Sequence, residues 1–195
     1  MGSSEEAGGD VAEASNRVDR GEGKDAPKPA LFQRTLQEIH RRYRDDASGE
    51  VASYIPELAA ANPEWFGISL VTTDGASFDV GDSGQPFSIQ SISKAFVYGL
   101  ALEDHGREGT LAKVSVEPSG EAFNAIVLDE ATNRPFNPMV NAGAIATTDL
   151  IKGDDLADRF KRIHEMFRRY VGRDVHMDAA MFLSERSTGH RNRAI

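Results

Sequence analysis

Apolar positions along the chain fall into short sets whose spacing predicts the elements. Residues 1–29 hold glycine, serine, alanine and charged residues with no aromatic side chain. Such a stretch buries too little apolar area to offset the entropy of ordering, so it reads as a disordered tail that ends at Pro27 and Pro29. From about Ala30 to Tyr43, Leu31, Leu36 and Ile39 recur at helical spacing, and Gln33, Arg34, Gln37 and Arg41 fill the other side. DDASGE breaks that pattern. VASYIPELAAAN resumes it, with Pro56 tolerated near a helix start. WFGISLVTT and ASFDVGD, joined through Asp74-Gly75, predict a β-hairpin.

GQPFSIQ leads from the hairpin into an apolar helix that runs to Asp104. HGREGTLAKVSVEPSGEAFN then carries four glycines or prolines in twenty residues, which argues against long regular elements. AIVLDE is a short apolar run, and TNRPFNPMV reads as a loop. NAGAIATTDLI predicts a buried helix of small residues. LADRFKRIHEMFRRYVG is amphipathic, with Leu156, Phe160, Ile163, Met166, Phe167 and Tyr170 on its apolar face. MDAAMFLSERSTGHRNRAI begins a further helix, breaks at Thr188-Gly189 and restarts.

The 195 residues suit one domain or slightly more. Hydrophobic content is 39% and net charge is -9. An acidic chain neutralises phosphates poorly, which argues against a nucleic-acid partner. The absence of cysteine removes disulfides and thiolate chemistry. No stretch approaches the ~20 apolar residues of a membrane span. MGSSEE matches a myristoylation pattern loosely, and MGSSEEAGGD lacks the basic and apolar regions of a secretory signal. A cytoplasmic location is therefore expected. The five histidines show no H-E-x-x-H spacing and the glycines no phosphate-loop pattern, so neither a metal nor another cofactor is expected. Gly120, after Pro118-Ser119, suits a turn that needs permissive backbone angles, and Gly143 suits the close approach of a neighbouring element.

The chemistry-bearing stretch is 85-QPFSIQSISKAFVYGLALED-104. A helix that begins near Ser91 puts Lys94 one turn away on the same face. A serine at a helix start lies among free backbone N–H groups, which an oxyanion hole can use. Lys94 accepts the serine proton only when neutral, and its neighbours Ile89, Ile92, Ala95, Phe96 and Val97 are apolar enough to lower its pKa. The plain alternative is that Ser88 or Ser91 caps the helix and Lys94 reaches solvent, since S-x-x-K also arises by chance. Ser88 and Ser93 compete as nucleophiles, although Ser91 pairs with Lys94 better on a helix.

FSIQSISKAF, VEPSGEAFN, NRPFNPMVNAGAI and SERSTGHRNRAI together resemble the serine-dependent glutaminases, from about Gln33 to Ile195. That family shares the fold of the β-lactamases and penicillin-binding proteins, in which S-x-x-K carries the nucleophile. The resemblance implies an α+β, β-lactamase/transpeptidase-like fold. It would be mostly helical here, with an N-terminal hairpin and an incomplete sheet, and residues 30–195 would form a partial domain. It implies Ser91 as nucleophile and Lys94 as its proton-transfer partner. Tyr54 would contact substrate near the nucleophile, and Gln90 and Ser91 would join it in the substrate set. Asn141 would bind the substrate amino acid, and Glu185 and Asn192 would grip its α-amino and α-carboxylate groups. A buried ammonium needs a carboxylate partner, and asparagine offers donor and acceptor without net charge. Without the resemblance, Glu185 and Asn192 read as ordinary helix residues and Tyr54 as core.

The implied reaction hydrolyses the side-chain amide of L-glutamine to glutamate and ammonia through a serine acyl-enzyme. The family pattern also includes a further tyrosine motif and a glycine-rich strand analogous to K-T-G, neither of which occurs in these residues. Loss of one oxyanion donor costs about 10²–10³ in rate, so the isolated chain is expected to be deficient. A β-lactamase or peptidase would need S-D-N and K-T-G, and the chain has neither. The alternative of another class is a non-catalytic fragment or short form that associates with full-length subunits. The resemblance also suggests a homo-oligomer, with no nucleic-acid or membrane partner.

Overall fold

The computed structural model describes residues 29–189. The expected tail, almost all of which precedes Pro29, and the restart after Gly189 lie outside the described residues. The described residues form two compact units, residues 29–45 with 66–83, and residues 46–65 with 84–189.

In the first unit, α1 (Pro29–Tyr43) packs on an antiparallel hairpin of β1 (Gly67–Val71) and β2 (Ser77–Gly81). Strand alternation sends Ile68, Leu70, Phe78 and Val80 to one face, and the register pairs Ile68 with Val80 and Leu70 with Phe78. Phe32 of α1 meets Phe78 at 5.4 Å between ring centroids. His40 stacks on Phe66 at 4.9 Å and its Nε2 lies 3.0 Å from the Phe66 carbonyl oxygen. The helix and hairpin thus form as their sequence periods predict.

The second unit holds α2 (Pro56–Ala59), a 3-10 turn (Gln90–Ile92), α3 (Ser93–Leu111), α4 (Asn141–Asp149), α5 (Leu156–Val171) and α6 (Ala179–Thr188). Its core joins Val97, Leu100 and Ala101 of α3 to Ile151 and to Met166 of α5, with Phe96, Leu150, Ile163 and Phe167 partly buried against them. Full burial of each large apolar side chain contributes about 1.5–3 kcal/mol. Asp155 caps α5 by accepting a 2.8 Å bond from the Asp158 N–H, and Asp178 caps α6 by accepting a 2.9 Å bond from the Met181 N–H. Asp104 of α3 accepts two bonds from the Arg162 guanidinium, at 2.7 and 2.6 Å, and one from the Lys152 N–H at 2.8 Å. These three bonds lock α3 to α5 and to the chain entering it.

The break expected after Asp104 is present: α3 leaves helical geometry at Gly106, with φ 67° and ψ 176°, and a second short helical segment follows to Leu111. The hydroxyl of buried Thr110, in that segment, lies 3.2 and 2.9 Å from the Ala101 and Gly106 carbonyl oxygens. Two expectations need correction. VASYIPELAAAN yields only the single turn of α2, started by Pro56 at its first position. On α5, Met166 is buried while Leu156, Phe160 and Tyr170 are exposed, so only the middle of the apolar stripe meets the core.

Candidate active site

Residues 85–89 deliver the chain to the 3-10 turn that holds Ser91, and α3 continues directly with Ser93 and Lys94. Ser91 is exposed, whereas Ser88 and Ser93 are half-buried. Ser93 Oγ donates to the Gln90 carbonyl at 2.7 Å, and Ser88 Oγ accepts from Gln90 Nε2 at 3.3 Å. Among the described residues the Ser91 hydroxyl makes no hydrogen bond. Of the three candidate serines, two hydroxyls are committed to Gln90 and one is open to a substrate.

Lys94 projects from the first turn of α3 toward the start of α4. Its Nζ donates to the Met139 carbonyl and to Asn141 Oδ1, both at 2.8 Å, and lies 5.8 Å from the centroid of the Phe123 ring. No carboxylate pairs with it among the described residues. Burial therefore goes uncompensated and pushes the amine below its ordinary value of 10.5. A neutral amine keeps two N–H donors and one lone pair. The two carbonyl oxygens accept both donors, and the lone pair remains for a proton.

The start of α4 is fixed from several sides. Asn137 Oδ1 accepts from the Met139 and Val140 N–H groups at 3.0 and 3.2 Å, and the Asn141 N–H donates to the Phe123 carbonyl at 2.8 Å. A Cβ on Gly143 would collide with the Asn137 carbonyl, so the close approach expected at this glycine is present. Gly120 has the expected positive φ, 67°.

Of the other expected site residues, Tyr54 donates from its hydroxyl to Gln90 Oε1 at 3.4 Å. Glu185 is half-buried on α6, which packs against α2, two residues beyond Tyr54. Two direct contacts thus join expected site residues, Tyr54 to Gln90 and Lys94 to Asn141. Glu185 approaches through helix packing alone, and Asn192 lies outside the described residues. Sequence reasoning missed Met139, whose contribution is a backbone carbonyl, and Phe123, which stood in a quoted motif without a role. It also missed that Ser88 and Ser93 anchor Gln90. Among the described residues no cluster of ligating side chains could hold a metal, and no helix is long and apolar enough to cross a membrane.

The chain is similar to a glutaminase of Microcystis aeruginosa, with 64% identity over 164 residues that cover 84% of this chain and 48% of the relative. A glutaminase of Nostoc sp. is 58% identical over 181 residues, 93% of this chain and 54% of the relative. Among solved structures, a probable glutaminase, YbaS, superposes with a TM-score of 0.83 at 33% identity, over 86% of this chain and 55% of that one. A probable glutaminase from Bacillus subtilis complexed with 6-diazo-5-oxo-L-norleucine gives a TM-score of 0.69 at 30% identity, over 91% and 53%. The chain spans about half the length of these relatives. Its helix-rich architecture with a two-stranded antiparallel sheet is that of the β-lactamase-like glutaminases. The glutaminase family's sequence model matches residues 49–195, three quarters of the chain and all of the geometry around Ser91 and Lys94, and the chain belongs to the glutaminase family.

Proposed function

We propose that the chain carries the nucleophile half of a serine-dependent glutaminase, with residues 30–195 as a partial domain. The observation that supports this most is the state of Lys94, a partly desolvated amine with two carbonyl acceptors and no carboxylate, one turn beyond an exposed serine. Ser91 Oγ attacks the γ-amide carbon of L-glutamine as its proton passes to Lys94 Nζ. Lys94 returns that proton to the amide nitrogen, the C–N bond breaks and ammonia leaves. Water then attacks the resulting ester and gives its proton to Lys94, which passes it to Ser91 Oγ as the ester bond breaks and glutamate leaves. The Ser91 backbone N–H is one donor to the oxyanion. Tyr54, Asn141, Glu185 and Asn192 bind the amino acid, with Glu185 as partner of the α-ammonium. The resemblance supports a homo-oligomer.

A second reading is a non-catalytic short form that associates with full-length subunits. It is favoured by an apolar cavity of about 420 Å³ lined by Phe87, Ile89, Ile92, Phe96, Phe167, Tyr170 and Val171, most of them exposed. Ammonia release from L-glutamine by the 195-residue chain, beside S91A and with a thermal melt of both, separates the readings. Turnover lost in S91A supports the enzyme, and a cooperative melt without turnover supports the associating form.

A further inference from the structure

We propose that Gln90 is the positioning residue of the nucleophile, held in a left-handed turn by Ser93, Ser88 and Tyr54 so that Ser91 faces the substrate. This rests on the reading of Ser91 as nucleophile. Gln90 has a φ of 41°, and Asn133 is the other described non-glycine residue with a positive φ. Asparagine tolerates that region through its short polar side chain, whereas glutamine has no such compensation. A strained residue persists where its surroundings over-determine it, and here three bonds do so. The Gln90 carbonyl accepts from Ser93 Oγ at 2.7 Å, its Nε2 donates to Ser88 Oγ at 3.3 Å, and its Oε1 accepts from the Tyr54 hydroxyl at 3.4 Å. The Ser93 bond is the shortest and acts on the backbone itself, so it is the main anchor.

The turn separates the serines by environment. Ser88 and Ser93 are half-buried with their hydroxyls engaged, and Ser91 between them is exposed. The bond to Tyr54 lets the same residue orient a hydroxyl expected to touch substrate. Gln90 therefore acts through Ser91 and Tyr54. The two serines that compete with Ser91 in the motif become its scaffold.

The test compares S93A, Q90A, Q90G and Q90N with the unaltered 195-residue chain and S91A. Backbone NMR of residue 90, through its Cα and Cβ shifts and its intraresidue HN–Hα Overhauser effect, reads the φ angle without any need for turnover. The unaltered chain should report a left-handed Gln90, and S93A should lose it. An ordinary negative φ in the unaltered chain, or a left-handed residue 90 that survives in S93A, overturns the proposal. In turnover, S93A, which leaves the Gln90 side chain in place, should lower kcat about tenfold with KM within about twofold, and Q90A should lower kcat at least as far. Q90G adopts the turn without strain and Q90N tolerates it, so both should keep more kcat than Q90A. Equal losses in Q90A and Q90G also overturn it. If the unaltered chain has no turnover, the glutaminase reading of the isolated chain fails, while the φ measurement still decides the role of Gln90.

Discussion

In the proposed reaction Lys94 takes the serine proton, and its two hydrogen bonds go to neutral oxygens. K94R keeps a permanent cation that accepts no proton, and ammonia assays should show a loss of at least about 10² in kcat. Activity requires the neutral amine, so it should rise with pH through an apparent pKa below 10.5. N141D would put a carboxylate beside Nζ and favour the ammonium, so the pH–rate profile should move its rising limb to higher pH. An unmoved limb would remove Asn141 from control of the lysine. The lowered pKa also bears on stability. Between the lowered folded value and 10.5 the unfolded chain binds the extra proton, so this group's contribution to stability rises with pH across that window. The placement of Ser91 at the helix start and of Lys94 on its first turn is legible in QSISK, because S-x-x-K names side chains at helical spacing. Met139 is not, because its contribution is a backbone oxygen 45 residues away that any residue type could supply.

At the scale of elements, α3 and α5 depend on a clamp and a core. Arg162 donates two bonds to Asp104 and, with the Lys152 N–H, holds its carboxyl below the ordinary 3.8. Its folded pKa being depressed, Asp104 contributes fully above 3.8 and loses that contribution as pH falls through the lower folded value. R162M leaves a carboxylate that is 6% exposed without its cation and should cost about 3 kcal/mol in urea titrations, with the double variant R162M/D104L costing less. L100A should cost about 3 kcal/mol, because Leu100 is nearly buried between α3 and α5. Periodicity revealed α1, the hairpin, α4 and α5. It also placed the break after Asp104, where the backbone leaves helical angles at Gly106. It could not say that Leu156 and Phe160 stay exposed, because a stripe names a face and not its partner.

At the scale of the molecule, the described residues leave a large apolar surface beside the 3-10 turn that holds Ser91. Phe87 is 80% exposed, and Ile92 and Tyr170 line the same cavity. Such a surface should bind a hydrophobic dye, and the variant I92D/Y170D should show weaker dye fluorescence with its helical circular dichroism kept. Dye binding unchanged in that variant would place the exposed apolar area elsewhere. The family was legible because four motifs stand in order. Which apolar faces stay exposed was not, because the exposure of a face depends on contacts that no local pattern encodes.

The central claim is that Ser91 is the nucleophile of a site shaped for glutamine. The most direct measurement is intact-mass and peptide-mass analysis of the chain after reaction with 6-diazo-5-oxo-L-norleucine, a glutamine-shaped electrophile that loses dinitrogen to an attacking nucleophile. The account predicts one adduct, on Ser91, absent in S91A and slowed by excess L-glutamine. An adduct on Ser88 or Ser93, or none on a chain with a cooperative melt, would contradict it.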